Sequence, residues 1–192
     1  MIAIIAYNAG NVKSVENAVK QLGYQTIITD NTSIIQQSDK VIFPGVGEAS
    51  TAMNYLKQRA LDTLIISLKQ PVMGICLGLQ LMCNFSEEGN TTCMGIFDVE
   101  VKKFPPFDLV PHMGWNNLTK TKGKLFKNIA EEDDFYFVHS YYANVCKHTA
   151  AICNYITPFS AVLQKDNFFA TQFHPEKSAN VGQQLLKNFL SL

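Results

Sequence analysis

The sequence predicts an α/β fold, in which a mostly parallel sheet has helices on both faces and the second half of the chain adds antiparallel hairpins. Three observations support this prediction. In the first 90 residues, short apolar runs of strand length alternate with stretches of helical spacing. From about residue 95, strand patterns and turns follow one another instead. No composition shift or linker divides the 192 residues, so we expect a single domain spanning 1–192.

The first half contains the buried strands and helices of the predicted parallel sheet. An apolar run at 2–6 is followed by a turn at 8–11, and a helical pattern at 12–22 ends at Gly23. Apolar residues at 48–68 keep helical spacing and predict one or two helices. Further strands are predicted at 24–29, 40–43 and 72–75.

The second half is predicted to consist mainly of strands and hairpins, closed by one helix. A turn at 165–167 joins two of these strands, and apolar residues at helical spacing predict the final helix over Ala179–Leu190. The strands are predicted at 96–104, 134–138, 142–145, 150–155, 160–164 and 168–173.

Composition excludes several classes of function. A formal net charge of zero argues against general nucleic-acid binding, and no apolar run is long enough for a signal peptide or a membrane span. The five cysteines include no C-x-x-C pair, which is typical of reduced thiols. We therefore expect a soluble cytoplasmic protein without metal or cofactor. Six lysines between Lys102 and Lys127 form either a solvated surface or a docking face for a partner.

The stretch 71–82 predicts a nucleophile. A short apolar strand leads to Cys76, and a helical pattern begins at once after it. Gly74 and Gly78, two residues to either side, are needed where a tight turn brings backbone segments together. Such an elbow exposes the sulfur at a helix N-terminus, where the dipole favours a thiolate. The alternative is that Cys76 is a small core residue, which would not require flanking glycines.

A histidine and a glutamate near the end of the chain can activate this cysteine. His174 precedes a proline that holds it extended, and residues i and i+2 of an extended chain point to the same side. Glu176 can therefore orient the His174 imidazole and favour its charged form. The alternative is a structural histidine at a strand end.

The remaining histidines are weaker candidates. His139 lies at a predicted strand end and either lines the pocket or serves a structural role. His112 and His148 have no partner that the sequence identifies.

An acyl-transfer reaction also needs two donors for the oxyanion. The backbone N–H of Leu77, directly after the nucleophile, is one candidate. The glycine-rich turn at 44–47 offers the second, through Val46 and Gly47, because its strand should lie beside that of the elbow. Taken alone, this turn could equally be an ordinary connection between a strand and a helix, with no role in catalysis.

The residues GICLGLQ at 74–80 and QFHPEKS at 172–178 resemble the triad-type, class I glutamine amidotransferases over essentially the whole chain. Within that superfamily, the stretches 44–47, 111–116 and 137–141 resemble the glutaminase subunits of imidazole glycerol phosphate synthase. The resemblance implies a flavodoxin-like fold and hydrolysis of L-glutamine through a cysteine thioester. It also implies a heterodimer with a cyclase subunit, which uses the ammonia to make imidazole glycerol phosphate and an aminoimidazole carboxamide ribonucleotide in histidine biosynthesis.

The resemblance also assigns roles to individual residues. Gln80 and Glu88 match family positions that contact glutamine, and the backbone of Ser140 and Tyr141 matches the segment lining the same pocket. By sequence alone, Glu88 would belong only to a solvated turn. Family positions at the partner face correspond to Asn11, Trp115 and Asn116. Trp115 could otherwise be a core residue or a half-buried anchor.

This chain departs from the family pattern in the loop expected to meet the cyclase. Ala6 and Asn8 replace an aspartate and a glycine, and Ala49 stands near a usual aromatic position. Two alternatives stay open: delivery of ammonia to a different synthase, such as those making anthranilate, aminodeoxychorismate or guanine nucleotide, and a catalytically silent binding subunit.

Overall fold

A computed structural model describes residues 1–7 and 11–192 of the chain. In these residues, five α-helices lie in the first half of the chain and one lies at the end of the second. Within the described residues, no helix is long and apolar enough to cross a membrane. The α-helices are α1 (Val12–Gln21), α2 (Thr32–Gln37), α3 (Ala49–Gln58), α4 (Leu61–Ser67), α5 (Leu77–Met82) and α6 (Ala179–Leu190).

The strands form one large sheet and two small ones. Short 3₁₀ turns cover Glu88–Asn90, Lys124–Phe126 and Pro175–Lys177. The strands are β1 (Ile2–Ile5), β2 (Thr26–Thr29), β3 (Lys40–Gly45), β4 (Val72–Cys76), β5 (Phe85–Ser86), β6 (Thr91–Thr92), β7 (Glu100–Lys103), β8 (His112–Asn117), β9 (Asp134–His139), β10 (Tyr141–Ala143), β11 (Thr149–Asn154), β12 (Pro158–Lys165) and β13 (Phe168–Thr171).

The large sheet has the strand order β11-β12-β13-β4-β3-β1-β2. Its members from β13 to β2 pair in parallel, while β12 and β11 continue it as antiparallel strands. The predicted mostly parallel sheet is thus confirmed, and strands from both halves of the chain build it. The smaller sheets are β10-β7-β5-β6 and the ribbon β8-β9.

Both faces of the large sheet are buried. Along β1, Ala3 and Ile5 belong to one core cluster and Ile2 and Ile4 to the other, because successive side chains of a strand point to opposite faces. Helices α3, α4 and α5 cover the first face, while α1, α6 and the ribbon β8-β9 cover the second. The predicted helices on both faces are confirmed.

Several element predictions agree with the structure, and others were wrong. Helix α6 has the predicted bounds, and the turn at 165–167 contains Asp166 in the left-handed region at φ 51°. Helix α2 was missed, although the Asn31 side chain caps it by accepting from Ile34 N at 3.1 Å. The predicted strand 96–104 was too long, since only Glu100–Lys103 pairs and its first residues fill the core as irregular chain.

The largest omission is β8, because its sequence HMGWNN looks neither apolar nor alternating. It pairs antiparallel with β9, so that His112 lies opposite His139 and Trp115 opposite Tyr136. Of the predicted turn at 8–11, only Asn11 lies among the described residues.

Candidate active site

The predicted elbow is present at Cys76. The residue ends β4 and adopts φ 54° and ψ −109°, and α5 starts at the next residue. Both glycines are required by contact: a Cβ added at Gly78 would lie 2.1 Å from the Phe43 carbonyl oxygen, and one at Gly74 would lie 3.0 Å from the Gly78 backbone. Close backbone approach therefore holds the strained turn in place.

The sulfur of Cys76 faces a polar wall. Gln172 Nε2 donates to Sγ at 3.8 Å, and Sγ lies 4.0 Å from the carbonyl oxygen of Val138. Cys76 is only 7% exposed, and that small exposure opens into a cavity. The thiol is thus accessible to a ligand in the cavity and otherwise enclosed.

His174 and Glu176 form a buried pair, as predicted. His174 Nδ1 lies 2.8 Å from Glu176 Oε1, with side chains 1% and 0% exposed. The predicted reason was wrong in part. His174 is extended, but Glu176 lies in the 3₁₀ turn Pro175–Lys177, which curls its carboxylate back toward the imidazole. Asn11 Nδ2 donates to the same carboxylate oxygen.

The electrostatics of the site favour a charged imidazole. Burial lowers the pKa of His174, but the neighbouring Cys76 and Glu176 outweigh it and raise that pKa to about 10. His174 Nδ1 is paired with Glu176, whereas its Nε2 has no partner within hydrogen-bond distance among the described groups. This ring nitrogen remains available to exchange a proton with Cys76 or a substrate.

The backbone of His174 is fixed by β9. His174 N donates to the Tyr136 carbonyl oxygen at 3.0 Å. Ser178 Oγ donates to the His174 carbonyl at 2.7 Å and accepts from Tyr136 N at 3.0 Å. The histidine is therefore held by its main chain as well as by its carboxylate partner.

A cavity of about 390 Å³ joins the predicted site residues. Its size suits a small metabolite rather than a polymer. It is lined by Val46, Gly47, Cys76, Leu77, Gln80, Glu88, Pro111, Val138, His139, Ser140, Tyr141, His174 and Lys177. Every predicted residue of the oxyanion and substrate sets contributes, while Glu176 lies behind His174.

The two predicted oxyanion elements meet at the cavity. Leu77 is the first residue of α5, so its N–H has no acceptor within the helix. Gly45 lies opposite Cys76 in the β3–β4 register, which brings the turn carrying Val46 and Gly47 beside the elbow. Gly47 has φ 112°, a conformation that favours glycine.

Gln80 is oriented by two acceptors. Its Nε2 donates to the Tyr141 carbonyl oxygen at 2.9 Å and to Gln172 Oε1 at 3.1 Å. Both amide hydrogens are therefore used within the protein, which leaves the Gln80 carbonyl oxygen as the group it offers to a ligand.

Glu88 is a partly buried acid at the cavity wall. Its Oε2 accepts from Ala49 N at 2.9 Å, at the start of α3. Burial raises the pKa of Glu88, with Glu48 adding to the rise and the Ala49 hydrogen bond opposing it. From the sequence alone, Glu88 was predicted only to belong to a solvated turn.

The residues matched to the partner face lie in three different environments. Trp115 is 53% exposed and packs its edge against Tyr136, with ring centroids 5.8 Å apart. Asn116 is half-buried and donates from Nδ2 to the Asn154 carbonyl at 3.2 Å. Asn11 contacts Glu176 instead of projecting freely.

Sequence reasoning missed several residues of this site. Gln172 and Lys177 flank the histidine within the motif 172–178 but received no role, although that motif was the signal that could have found them. His112 was left without a partner, yet its Nδ1 lies 3.1 Å from His139 Nε2. That contact depends on the β8–β9 pairing, which the sequence did not predict.

The fold and the cavity together define the class of protein. The family described as glutamine amidotransferase class-I matches residues 3–192, and the chain belongs to that family. Among solved structures, a protein described as a glutamine amidotransferase aligns with a TM-score of 0.77 at 15% identity, covering 99% of this chain and 97% of that one. A putative GMP synthase subunit from Thermoplasma acidophilum aligns with a TM-score of 0.76 at 18% identity, covering 100% and 92%. At such identities, these structures show the shared fold.

Curated relatives are much closer in sequence. Imidazole glycerol phosphate synthase subunit HisH of Bacteroides thetaiotaomicron is 59% identical over 194 residues, covering 100% of this chain and 99% of that protein. The subunits of the same name from Bacteroides fragilis strain YCH46 and Yersinia pestis are 56% and 47% identical with the same coverage.

Proposed function

We propose that this protein is a glutaminase subunit that releases ammonia from L-glutamine for a cyclase partner in histidine biosynthesis. The near-complete coverage of relatives named imidazole glycerol phosphate synthase subunit HisH supports the pathway. We treat residues 1–192 as one glutamine amidotransferase domain, because β13 from the second half pairs directly with β4 from the first. We place the protein in the cytoplasm, because none of its five cysteines is paired in a disulfide.

One observation carries the chemical part of the proposal. A cysteine held at a strained elbow shares a single cavity with a histidine whose far side is paired to a buried carboxylate. This is the arrangement that thiol-based acyl transfer requires: Cys76 as nucleophile, His174 as acid and base, and Glu176 as the group that orients it.

The reaction proceeds in two halves. Cys76 Sγ attacks the side-chain amide carbon of glutamine, a C–S bond forms, and the carbonyl electron pair moves to oxygen. As the oxyanion collapses, the C–N bond breaks and His174 Nε2 donates a proton to the departing nitrogen, which leaves as ammonia. Water then attacks the thioester carbon, with His174 Nε2 accepting its proton. The C–S bond breaks, Cys76 leaves as the thiolate, and glutamate is released.

The cavity supplies groups for the remaining requirements. The N–H of Leu77 and a backbone N–H of the turn at Val46 and Gly47 stabilise the oxyanion. Glu88 receives the α-amino group of glutamine, because a carboxylate at the cavity wall favours a cation. Gln80 and the backbone of Ser140 and Tyr141 hold the rest of the substrate.

The partner in this proposal is the cyclase subunit, which forms a heterodimer with this chain. Trp115 is a large exposed aromatic residue, a type enriched in interfaces. Asn11 and Asn116 complete the set inferred for that face, although their side chains also bond within the protein. The proposed reaction requires no nucleic acid, membrane, metal or cofactor.

The experiment is glutamate release from glutamine by the purified protein, alone and with the cyclase subunit and its nucleotide substrate. We expect a low rate that rises by orders of magnitude in the complex, and no turnover for Cys76→Ser. Cys146→Ser, which removes a half-buried thiol far along the chain, is the matched control and should leave the rate unchanged.

Other outcomes would separate the alternatives. A high rate that the cyclase does not alter would retain the chemistry and contradict the pathway, as for a subunit of another synthase. Absence of turnover in both states, together with no labelling of Cys76 by a glutamine-like electrophile, would indicate a catalytically silent subunit and contradict the proposal.

A further inference from the structure

Two buried histidines next to the cavity have no role in the reaction described above. His112 on β8 and His139 on β9 are 4% and 6% exposed, and they lie opposite each other in the ribbon register. Their rings meet through His112 Nδ1 and His139 Nε2 at 3.1 Å. Only His139 lines the cavity, so His112 lies one step behind it.

The positions of the protons in this pair follow from its neighbours. His139 Nδ1 lies 2.8 Å from the Tyr141 carbonyl oxygen, which can only accept, so His139 Nδ1 carries a proton. Burial lowers the pKa of His139 to about 3, with the nearby His174 imidazole adding to the effect and the Tyr141 bond opposing it. A neutral ring with hydrogen on Nδ1 has only a lone pair on Nε2, and His112 Nδ1 must therefore donate to it.

Packing keeps His112 in the orientation that this bond needs. Its ring lies between Tyr155, at a centroid distance of 4.0 Å, and Phe137, at 4.8 Å, nearly parallel to both. Burial lowers the pKa of His112 to about 4, so this ring is also neutral at pH 7. The two rings thus form a chain of hydrogen bonds with one direction, from His112 to His139 to Tyr141.

The chain continues to the nucleophile. The Tyr141 carbonyl also accepts from Gln80, whose second amide hydrogen goes to Gln172 Oε1. The amide nitrogen of Gln172 then faces Cys76 Sγ. Each amide orientation in this series is fixed by its neighbour, beginning with the Tyr141 carbonyl, which has no donor function.

We propose that His112 and His139 are positioning residues for glutamine hydrolysis, which together hold the Tyr141 peptide and, through it, the Gln80 side chain at the cavity wall and the buried Gln172 side chain beside Cys76. The inference rests on the proposed function, in which Gln80 and the backbone of Ser140 and Tyr141 contact the substrate glutamine. Neither histidine touches the reacting atoms or exchanges a proton during turnover.

The test compares two substitutions of His112. His112→Phe keeps an aromatic ring between Phe137 and Tyr155 but removes the donor, whereas His112→Asn keeps an N–H where Nδ1 was. Losing the bond should lower kcat/KM for glutamine roughly tenfold, mostly through KM, as expected for one hydrogen bond in a buried network. His112→Asn should recover to within about threefold of the original protein. His148→Asn, which changes a histidine outside the cavity, is the control.

A second readout separates positioning from general damage. Iodoacetamide needs no glutamine subsite, so the rate of its reaction with Cys76 should change far less in His112→Phe than kcat/KM for glutamine does. The inference is overturned if His112→Phe and His112→Asn have the same KM, or if both match the original protein. If the original protein shows no glutamine turnover with or without the cyclase, the proposed function fails instead.

The proton positions can be examined without any substitution. Nitrogen-15 spectra of the histidine rings should show both His112 and His139 as neutral rings with hydrogen on Nδ1 at pH 7. Hydrogen on Nε2 of either ring would overturn the inference, even if His112→Phe fails to fold.

Discussion

Two walls of the same cavity are built by different physical means. The wall that contains Cys76 and Leu77 is set by backbone geometry, with a strained residue at an elbow and two glycines in contact with neighbouring main chain. The second wall is set by side chains, through bonds that link Tyr141 and Gln80 with the fully buried Gln172. In the proposed reaction, the first wall positions the reacting sulfur and the second holds the glutamine that it attacks.

Because one wall depends on backbone geometry and the other on side-chain bonds, the two should differ in the substitutions they tolerate. A backbone turn that depends on glycine has no freedom to accept a side chain, so a small substitution there should have a large effect. A network of hydrogen bonds can lose one member and keep the rest, so its effects should be graded. The predictions below test this contrast, in order of decreasing effect.

Gly78→Ala should have the largest effect, because the new Cβ would overlap the Phe43 carbonyl oxygen at 2.1 Å. We expect a loss in the free energy of unfolding on the order of 3 kcal/mol and almost complete loss of glutamine hydrolysis. Urea denaturation and glutamate release measure the two effects. Gly23→Ala is the control, since a Cβ there meets no atom within 4 Å and only its φ of 85° opposes alanine. Equal stabilities of the two variants would contradict the backbone account of this wall.

Glu176→Gln should reduce glutamine hydrolysis by roughly a thousandfold, less than His174→Ala, because Glu176 acts only through the imidazole. Without the carboxylate, the pKa of His174 should fall from its raised value. A charged imidazole persists below its pKa, so the alkaline limit of the Cys76–His174 ion pair should move to lower pH. The pH dependence of kcat/KM for glutamine between pH 6 and 10 measures this limit, because the charged imidazole must protonate the leaving nitrogen. An unchanged limit would show that Glu176 does not charge the imidazole.

Gln172→Leu should reduce kcat/KM by roughly tenfold, since it removes one link of the side-chain wall and leaves the elbow intact. Gln172→Glu should lower kcat/KM further than Gln172→Leu does, because a carboxylate facing Cys76 Sγ disfavours the thiolate. Steady-state kinetics with glutamine compare the two. If Gln172→Leu has the same kcat/KM as the original protein, the network is not required for turnover.

The smallest expected effect concerns stability in acid. His112 and His139 have folded pKa values of about 4 and about 3, below the 6.5 of an unhindered histidine. Between pH 6.5 and 4 the unfolded chain binds more protons at these positions, so the native state should lose stability as the pH falls. His112→Phe removes one of these groups and should make the free energy of unfolding fall less steeply from pH 7 to 5. An equal slope for variant and original protein would contradict burial of a neutral ring.

The contrast between the walls also explains what the sequence could reveal. The elbow was predictable because its signal is local. Gly74, Cys76 and Gly78 lie within five residues, and the two glycines indicate a turn too tight for side chains. The same holds for His174 and Glu176, although the 3₁₀ turn that joins them was not foreseen. The parallel sheet followed from the alternation of apolar runs with helical patterns.

The side-chain wall was not predictable in the same way. Gln80 and Gln172 are 92 positions apart, and His112 and His139 are 27 apart. Their contacts depend on strand register, and β8 carries too few apolar residues to be recognised as a strand. The resemblance to known families supplied Gln80 and Tyr141, but no pattern in the sequence indicated the histidine pair.

The central claim is that Cys76 attacks glutamine held by the second wall, and an acyl-enzyme trapped during turnover tests it most directly. The complex with the cyclase subunit would be mixed with glutamine, quenched in acid within the first turnovers and mapped by peptide mass spectrometry. We predict a glutamyl thioester on Cys76 and on none of the other four cysteines. Turnover without an adduct at Cys76, or with an adduct on another cysteine, would contradict the account.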